Sequence, residues 1–418
     1  MSAAEQPAGE HVRIFDTTLR DGEESPGATI APADRLRIAE MLAEAKVDCI
    51  EAGFPAASAI TAASVAEIAR RVRSTSIAAV ARCTYGDIEA AAAALHDAAA
   101  PRIHVVVATS DLHLSKKLRI TREAALERVT ESVRFARRFT DDIEFSAEDA
   151  SRSDLGFVSE VFAAAIRAGA TTVSFPDTVG YATPDDMTAA ITAIREKTEG
   201  IEKAVISVHT HNDLGLATAN ALAAVKAGAR QVECTINGIG ERAGNCALEE
   251  VVSAFYVRRD VLPYTSGVVL QRLAALSRAV AAATRMPVQK NKAIVGANAF
   301  VHESGIHQDG LLKDRRTYEI LDAAIVGATT ILTISRNSGR HAIVARAHEI
   351  GCPIGEADER AFAAAVIDFS QTRTIVTDND LIHIAARVLG DRIDPSPANP
   401  ANEAPTKASG ETLEPVAV

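Results

Sequence analysis

The sequence predicts a (β/α)8 TIM barrel followed by a mainly helical C-terminal extension, and three observations predict it. Short β-branched runs alternate eight times with longer alanine-rich runs between residues 12 and 265. That count fits a closed barrel, whereas an open doubly wound sheet needs fewer units. The unusual polar residues also collect at the ends of the strand candidates, where barrels place their active sites: Arg20 and Asp21, Glu148 and Asp149, His209 and His211, and Asn245.

Strands are predicted over 12–18, 47–54, 76–83, 102–109, 142–149, 171–178, 205–212 and 231–238. Helix-like runs follow them, among them 32–45 and 184–197, the latter opened by Thr183 as N-cap with Pro184 at the first helical position. Residues 1–11 read as a flexible N-terminus. Past 265 the alternation stops, and 266–393 read as helical and linker subdomains, with helices at 267–284, 339–350 and 358–370 and a Gly/His-rich stretch over 291–320. Residues 394–418, rich in Pro, Ala and polar side chains, read as a disordered tail.

Composition narrows the function class. No apolar run approaches the roughly 20 residues that cross a bilayer, so no membrane span is expected. The N-terminus has no basic segment followed by an apolar one, and a cytoplasmic location is expected. Five cysteines, never in a C-x-x-C pattern, argue against a disulfide framework or a thiolate zinc site. A net charge of −11 offers no footprint for nucleic acid.

Two stretches carry chemistry. "FDTTLRDGEESPG" (15–27) gathers Asp16, Arg20, Asp21, Glu23 and Glu24 around Gly22. Such carboxylates repel unless a cation joins them, although a solvated charged loop is the alternative. "SVHTHNDLG" (207–215) sets His209 and His211 at i and i+2, the same face of a strand. Two histidines satisfied by the backbone are the alternative there. With an acidic residue after the first strand and Asn245 in "GIGERAGNCALEE" (238–250), the imidazoles form an N/O donor set suited to Mg, Mn, Zn or Co. The glycines of 238–244 serve either as a turn into the last helix or as a loop facing substrate.

"DTTLRDGE", "HTHNDLGLATANALAAVKAGARQVE", "NGIGERAGN" and "KAIVGANAFVHESGIHQDG" together resemble the acyl-CoA-dependent alkylmalate synthases, the group of 2-isopropylmalate, homocitrate and citramalate synthases. The similarity is closest to the 2-isopropylmalate synthases and runs from about residue 12 to about residue 350. It implies a divalent metal, Mn or Mg with Zn or Co as alternatives, held by Asp21, His209, His211 and Asn245. It implies acetyl-CoA and a 2-oxo acid as substrates, Arg20 as a catalytic neighbour of the oxo group, and Glu148 in the S-x-E pattern begun by Ser146. His307 and Tyr318 match a His/Tyr pair eleven residues apart that assists catalysis in the family. In the family that pair reaches into a neighbouring subunit's barrel mouth, so a homodimer is implied. His302 does not occupy the matching position and reads as structural. Glu24, His104, Ser146, Ser174 and Thr178 are expected to bind substrate.

The implied reaction is a Claisen-type condensation of acetyl-CoA with a 2-oxo acid, then thioester hydrolysis to a 2-alkylmalate and CoA. The best-matching acceptor is 2-oxoisovalerate. Two departures bear on it: the family usually has Gln where this chain has Glu24, and its 2-isopropylmalate synthases usually have Asn where this chain has Ser174. Other acceptors (phosphonopyruvate or phosphinopyruvate, 2-oxoglutarate, pyruvate), a metal-dependent carbon–carbon lyase, and a non-catalytic partner subunit are the competing readings. Many members carry a C-terminal domain that binds leucine. Residues 394–418 hold too little apolar sequence for one, so leucine is not expected to inhibit.

Overall fold

The computed structural model describes residues 9–373 and 376–390. Eight parallel strands close into one barrel in chain order: β1 (Arg13–Asp16), β2 (Cys49–Glu51), β3 (Ser76–Arg82), β4 (Pro101–Ala108), β5 (Asp142–Glu148), β6 (Thr172–Asp177), β7 (Val205–Thr210) and β8 (Gln231–Cys234). The seam is made by β1 against β8, with Arg13 opposite Gln231. Every predicted strand is present, and most are shorter than expected. The eighth stops at Cys234 rather than 238, because Asn237 turns left-handed at φ 64° within the short helical turn Ile236–Gly238.

Alternation along the strands explains both surfaces of the barrel. Ile14, Ile50, Ile77, Ile103, Ile143, Val173, Val208 and Val232 belong to one hydrophobic cluster shared with the surrounding helices. The alternate positions hold a buried polar network, where many barrels pack branched aliphatic side chains. Arg102 donates from Nη1 to Glu144 Oε2 at 2.9 Å and to Gln231 Oε1 at 2.8 Å, and Gln231 Nε2 donates to Ser207 Oγ at 2.9 Å. Burial raises Glu144 to about 7 despite the pull of Arg102.

The predicted cap is present. Thr183 Oγ1 accepts from Asp186 N, and Asp186 Oδ2 accepts from Thr183 N, opening the helix Pro184–Lys197.

The described residues divide into two compact units, one of 9–300 with 321–329 and the other of 301–320 with 330–373 and 376–390. The expected boundary lay at 265. Residues beyond it stay with the barrel because Leu273, Leu276 and Val280, on the helix Leu273–Thr284, sit in the barrel's own core cluster. The second unit pairs Val301–His302 with Ile331–Leu332 and contains the helices Gly305–Lys313, Arg340–Glu349, Glu359–Ser370 and Asp378–Leu389. Ile343, Phe362, Val366 and Leu381 lie in its separate core. Its last helix was not anticipated, although Thr377 and Asp380 form a capping box at its start. The tail expected over 394–418 lies outside the described residues. Among the described residues no helix is long and apolar enough to cross a membrane.

Candidate metal and substrate site

The strand register brings the two histidines together: the rings of His209 and His211 lie 4.8 Å apart between centroids. Asp21 arrives from the β1 loop. Its Oδ2 is 3.2 Å from His209 Nε2 and 3.8 Å from His211 Nε2, and it accepts from Asn245 Nδ2 at 3.1 Å. His209 Nδ1 faces Glu233 Oε2 at 3.1 Å, which fixes the ring with Nε2 toward Asp21. His211 and Asn245 are themselves tied by an isolated antiparallel bridge.

A cation fits this cluster. Asn245 Oδ1 is buried without a hydrogen-bond partner, a cost of about 1–3 kcal/mol for such a group. A half-turn of the amide exchanges its oxygen and nitrogen and turns the oxygen toward Asp21, in place of the Nδ2 that now donates to Asp21 and to the Ile239 carbonyl. Burial and the neighbouring His209 push His211 down to about 3, leaving a neutral ring with a lone pair to give. Against burial, Arg20, His209 and His211 hold Asp21 below its ordinary value.

Beside the cluster stands a group the sequence did not announce. Glu51, at the end of β2 and fully buried, accepts from Arg20 Nε at 2.6 Å and Thr17 Oγ1 at 2.7 Å through one oxygen. Its other oxygen meets His104 Nδ1 at 2.6 Å. Burial opposes its charge, but Arg20 and His104 outweigh it and hold the carboxyl well below the usual range. His104 in turn rises to about 9, because Glu51 overcomes the burial of its ring. His104 is therefore an imidazolium at neutral pH. Its Nε2 has no partner, so one carboxylate orients two cationic donors, Arg20 and His104.

Both donors line a cavity of about 290 Å³ at the C-terminal ends of the strands. Asp21, Glu24, Ser146, Glu148, Thr178, His209 and His211 line it too, with Phe54, Val80, Val106 and Pro176 as an apolar wall. Thr178 Oγ1 also accepts from Asp149 N at 2.9 Å. Glu24 lies 3.9 Å from Arg20 Nη1, and burial raises its carboxyl. Glu148 is held by Lys117 Nζ at 2.5 Å. Ser174 is not in the cavity wall. It is fully buried one layer deeper, donating to Glu233 at 2.6 Å, and so reaches the cavity only through Glu233 and His209.

The glycine loop 238–244 supports Asn245. Gly240 is left-handed at φ +156°, and an added Cβ would collide with the side-chain amide of Asn245. Gly240→Ala is therefore expected to weaken divalent-ion binding by about 10–100-fold. Gly86→Ala, where no atom lies within 4 Å of the added carbon, is the control. Equal ion affinities in a Mn titration of the two variants would refute the role given to the loop. Arg242, itself left-handed at φ 57°, donates to Asp213 Oδ1 at 2.8 Å and to the Thr178 carbonyl at 2.9 Å, clasping three strand-end loops.

In the second unit His307 and Tyr318 stack at 4.0 Å and 21° between ring planes. His302 Nε2 faces Glu319 Oε1 at 3.3 Å, a buried partner that accords with a structural role. Glu51 and Glu233 were missed by sequence reasoning because each is a lone acid in an apolar strand. Register was an available signal for Glu233, which lies opposite His209, whereas Glu51 lies opposite Ala78 and had none.

Comparison with known proteins shows the family and the fold. Residues 11–280 match the HMGL-like family, and residues 294–374 match the homocitrate synthase post-HMGL domain-like family. The 2-isopropylmalate synthase of Carboxydothermus hydrogenoformans is 52% identical over 373 residues, covering 89% of this chain and 73% of that protein. That of Pyrococcus furiosus is 48% identical, covering 91% of this chain and 76% of that protein. Among solved structures, a hydroxymethylglutaryl-CoA lyase from Pseudomonas aeruginosa superposes with a TM-score of 0.58 at 23% identity, over 67% of this chain and 95% of that one. The Brucella melitensis HMG-CoA lyase gives 0.55 at 23% identity, over 66% and 99% respectively. Both share the barrel fold.

Proposed function

The chain belongs to the HMGL-like family and, within it, to the 2-isopropylmalate synthases, metal-dependent acyltransferases that use acetyl-CoA in leucine biosynthesis, and we propose that its own acceptor is 2-oxoisovalerate. The observation that carries this reading is the placing of the Asp21, His209, His211 and Asn245 cluster beside a cavity walled by Phe54, Val80, Val106 and Pro176. The polar side suits the oxo acid's head and the apolar wall suits a branched tail.

A divalent ion, Mn or Mg, held by those four residues supplies Lewis acidity to the acceptor's carbonyl. Arg20 and His104, fixed by Glu51, orient the 2-oxo acid. Glu148 takes a proton from the methyl group of acetyl-CoA, and the resulting carbanion attacks the carbonyl carbon. Arg20 stabilises the negative oxygen that develops. Water then hydrolyses the thioester, which makes the condensation irreversible. His307 and Tyr318 as further proton carriers, and the homodimer, enter the proposal on the family resemblance.

An anionic acceptor tail fits less well, because burial and three acids already crowd Glu24: Asp21, Glu51 and Glu241 all raise its carboxyl against the pull of Arg20. Thiol release from acetyl-CoA with a panel of 2-oxo acids tests the reading, and a preference for pyruvate or 2-oxoglutarate would overturn it. Glu24→Gln is expected to move the kcat/KM ratio of 2-oxoisovalerate to pyruvate by about 1 kcal/mol, several-fold. Ser174→Asn is expected to leave that ratio unchanged and to alter ion affinity instead, through Glu233. A ratio that follows residue 174 and ignores residue 24 would reverse the assignment.

A further inference from the structure

We propose that the loop between β4 and the helix Arg122–Ala136 is the phosphate-recognition subsite for acetyl-CoA, with Lys116 and Arg119 as its cations. The inference rests on the synthase reading. A thioester that reacts inside the cavity must leave its nucleotide outside, so the phosphates of coenzyme A settle on the rim formed by the strand-end loops. Those loops carry Arg20, Lys116, Lys117, Arg119, Arg152 and Arg242. Arg20 is taken by Glu51, Lys117 by Glu148, Arg152 by Asp149 and Arg242 by Asp213. Lys116 and Arg119 are exposed, and among the described residues no carboxylate pairs with either.

On a chain of net charge −11, these two cations sit within one turn on the strand-end loop that Lys117 ties to the cavity-lining Glu148. The backbone of that loop is braced. Ser110 caps its first turn through His113 N and donates to the buried Asp149 at 2.5 Å. Leu114 is buried and Leu118 is half-buried. Residues Leu114–Leu118 form a π-helical turn, a form that recurs at functional sites. Arg119 ends it in the left-handed region at φ 55°, and Ile120 N returns to the Leu114 carbonyl at 3.1 Å. Lys117 ties the same turn to Glu148, which lines the cavity. Two exposed cations on a braced turn of a strand-end loop match a ligand that brings a diphosphate and a 3′-phosphate.

The test compares the wild-type enzyme with Lys116→Glu/Arg119→Glu. The KM for acetyl-CoA should rise about tenfold or more, since charge-assisted phosphate contacts are replaced by repulsion. The kcat and the KM for the 2-oxo acid should stay within a factor of about two. Added salt should raise the wild-type KM for acetyl-CoA more steeply than the variant's. Acetyl-3′-dephospho-CoA should lose part of the difference, whereas inorganic phosphate should not compete at millimolar concentration; competition would assign the rim to free phosphate and overturn the proposal. An unchanged KM for acetyl-CoA overturns it as well. Calorimetric binding of CoA to both proteins reads the rim without turnover, so a protein that binds CoA through these residues yet releases no thiol would sink the synthase reading alone.

Discussion

Chelating divalent ions, or removing a ligand in Asp21→Ala or His211→Ala, is expected to lower turnover at least about a thousandfold, because polarisation of a carbonyl by a metal is worth several kcal/mol. Asp21 Oδ2 is the point on which His209, His211 and Asn245 converge. Its loss removes the anion that makes the cluster a cation site, and added Mn or Mg should restore only the wild type. Thermal stability gives a second readout. An ion at a hundred times its Kd should add about 2.7 kcal/mol to the wild-type protein and nothing to Asp21→Ala. Full turnover in either variant would end the assignment.

The second large effect is expected from Glu51→Gln. Removing one partner of a buried ion pair costs about 3–5 kcal/mol, since the other charge is left unpaired. Here two charges are left, Arg20 and His104. Turnover should fall about 100-fold or more as the donors that face the acceptor lose their orientation. Imidazole NMR gives a direct check. Glu51 raises His104 to about 9 against its burial, and in Glu51→Gln only the coulombic pull of Glu144 and Glu233 still opposes burial, so the imidazole pKa should fall.

The pH dependence of stability carries a sign. The raised value of His104 contributes stability that is complete below its ordinary 6.5 and lost as pH rises through about 9. The depressed value of Glu51 contributes stability present above its ordinary 4.5 and lost as pH falls further. The stability gap between wild type and Glu51→Gln should therefore be widest between about 4.5 and 6.5. A gap that grows from pH 7 to 10 would contradict the pairing.

The barrel and the clustering of Asp21, His209 and His211 were legible because each leaves a local mark. Period-two strands alternating with alanine-rich helices announce the fold, and two histidines at i and i+2 announce a shared face. Glu51 left no such mark: its partners Arg20 and His104 lie 31 and 53 residues away. Ser174 is expected in the substrate pocket on the family resemblance, since 2-isopropylmalate synthases usually carry Asn there, and it sits two residues before the cavity-lining Pro176. Along an inward-facing strand, however, two residues are one full layer of depth. The extent of the barrel unit was misjudged for a related reason. A helix packed against the outside of the barrel has the same amphipathic pattern as one that begins a new unit, so Leu273, Leu276 and Val280 could not declare their partner from the sequence.

The seam between β1 and β8 gives the ligand set a bearing on how the chain folds. Asp21 and Asn245 are 224 residues apart, on either side of that seam. No fragment lacking either the first or the last strand can assemble the cluster, so ion binding there is expected only after the two ends of the barrel have docked. Contacts between such distant residues pay a large loop-closure cost before they return anything, and they slow the search for the native state. Ion capture should accordingly appear late in refolding, after helix formation is complete, and should hold back unfolding by keeping the two ends of the barrel latched. A stopped-flow experiment following far-ultraviolet circular dichroism and an ion-sensitive dye together would see two separated phases.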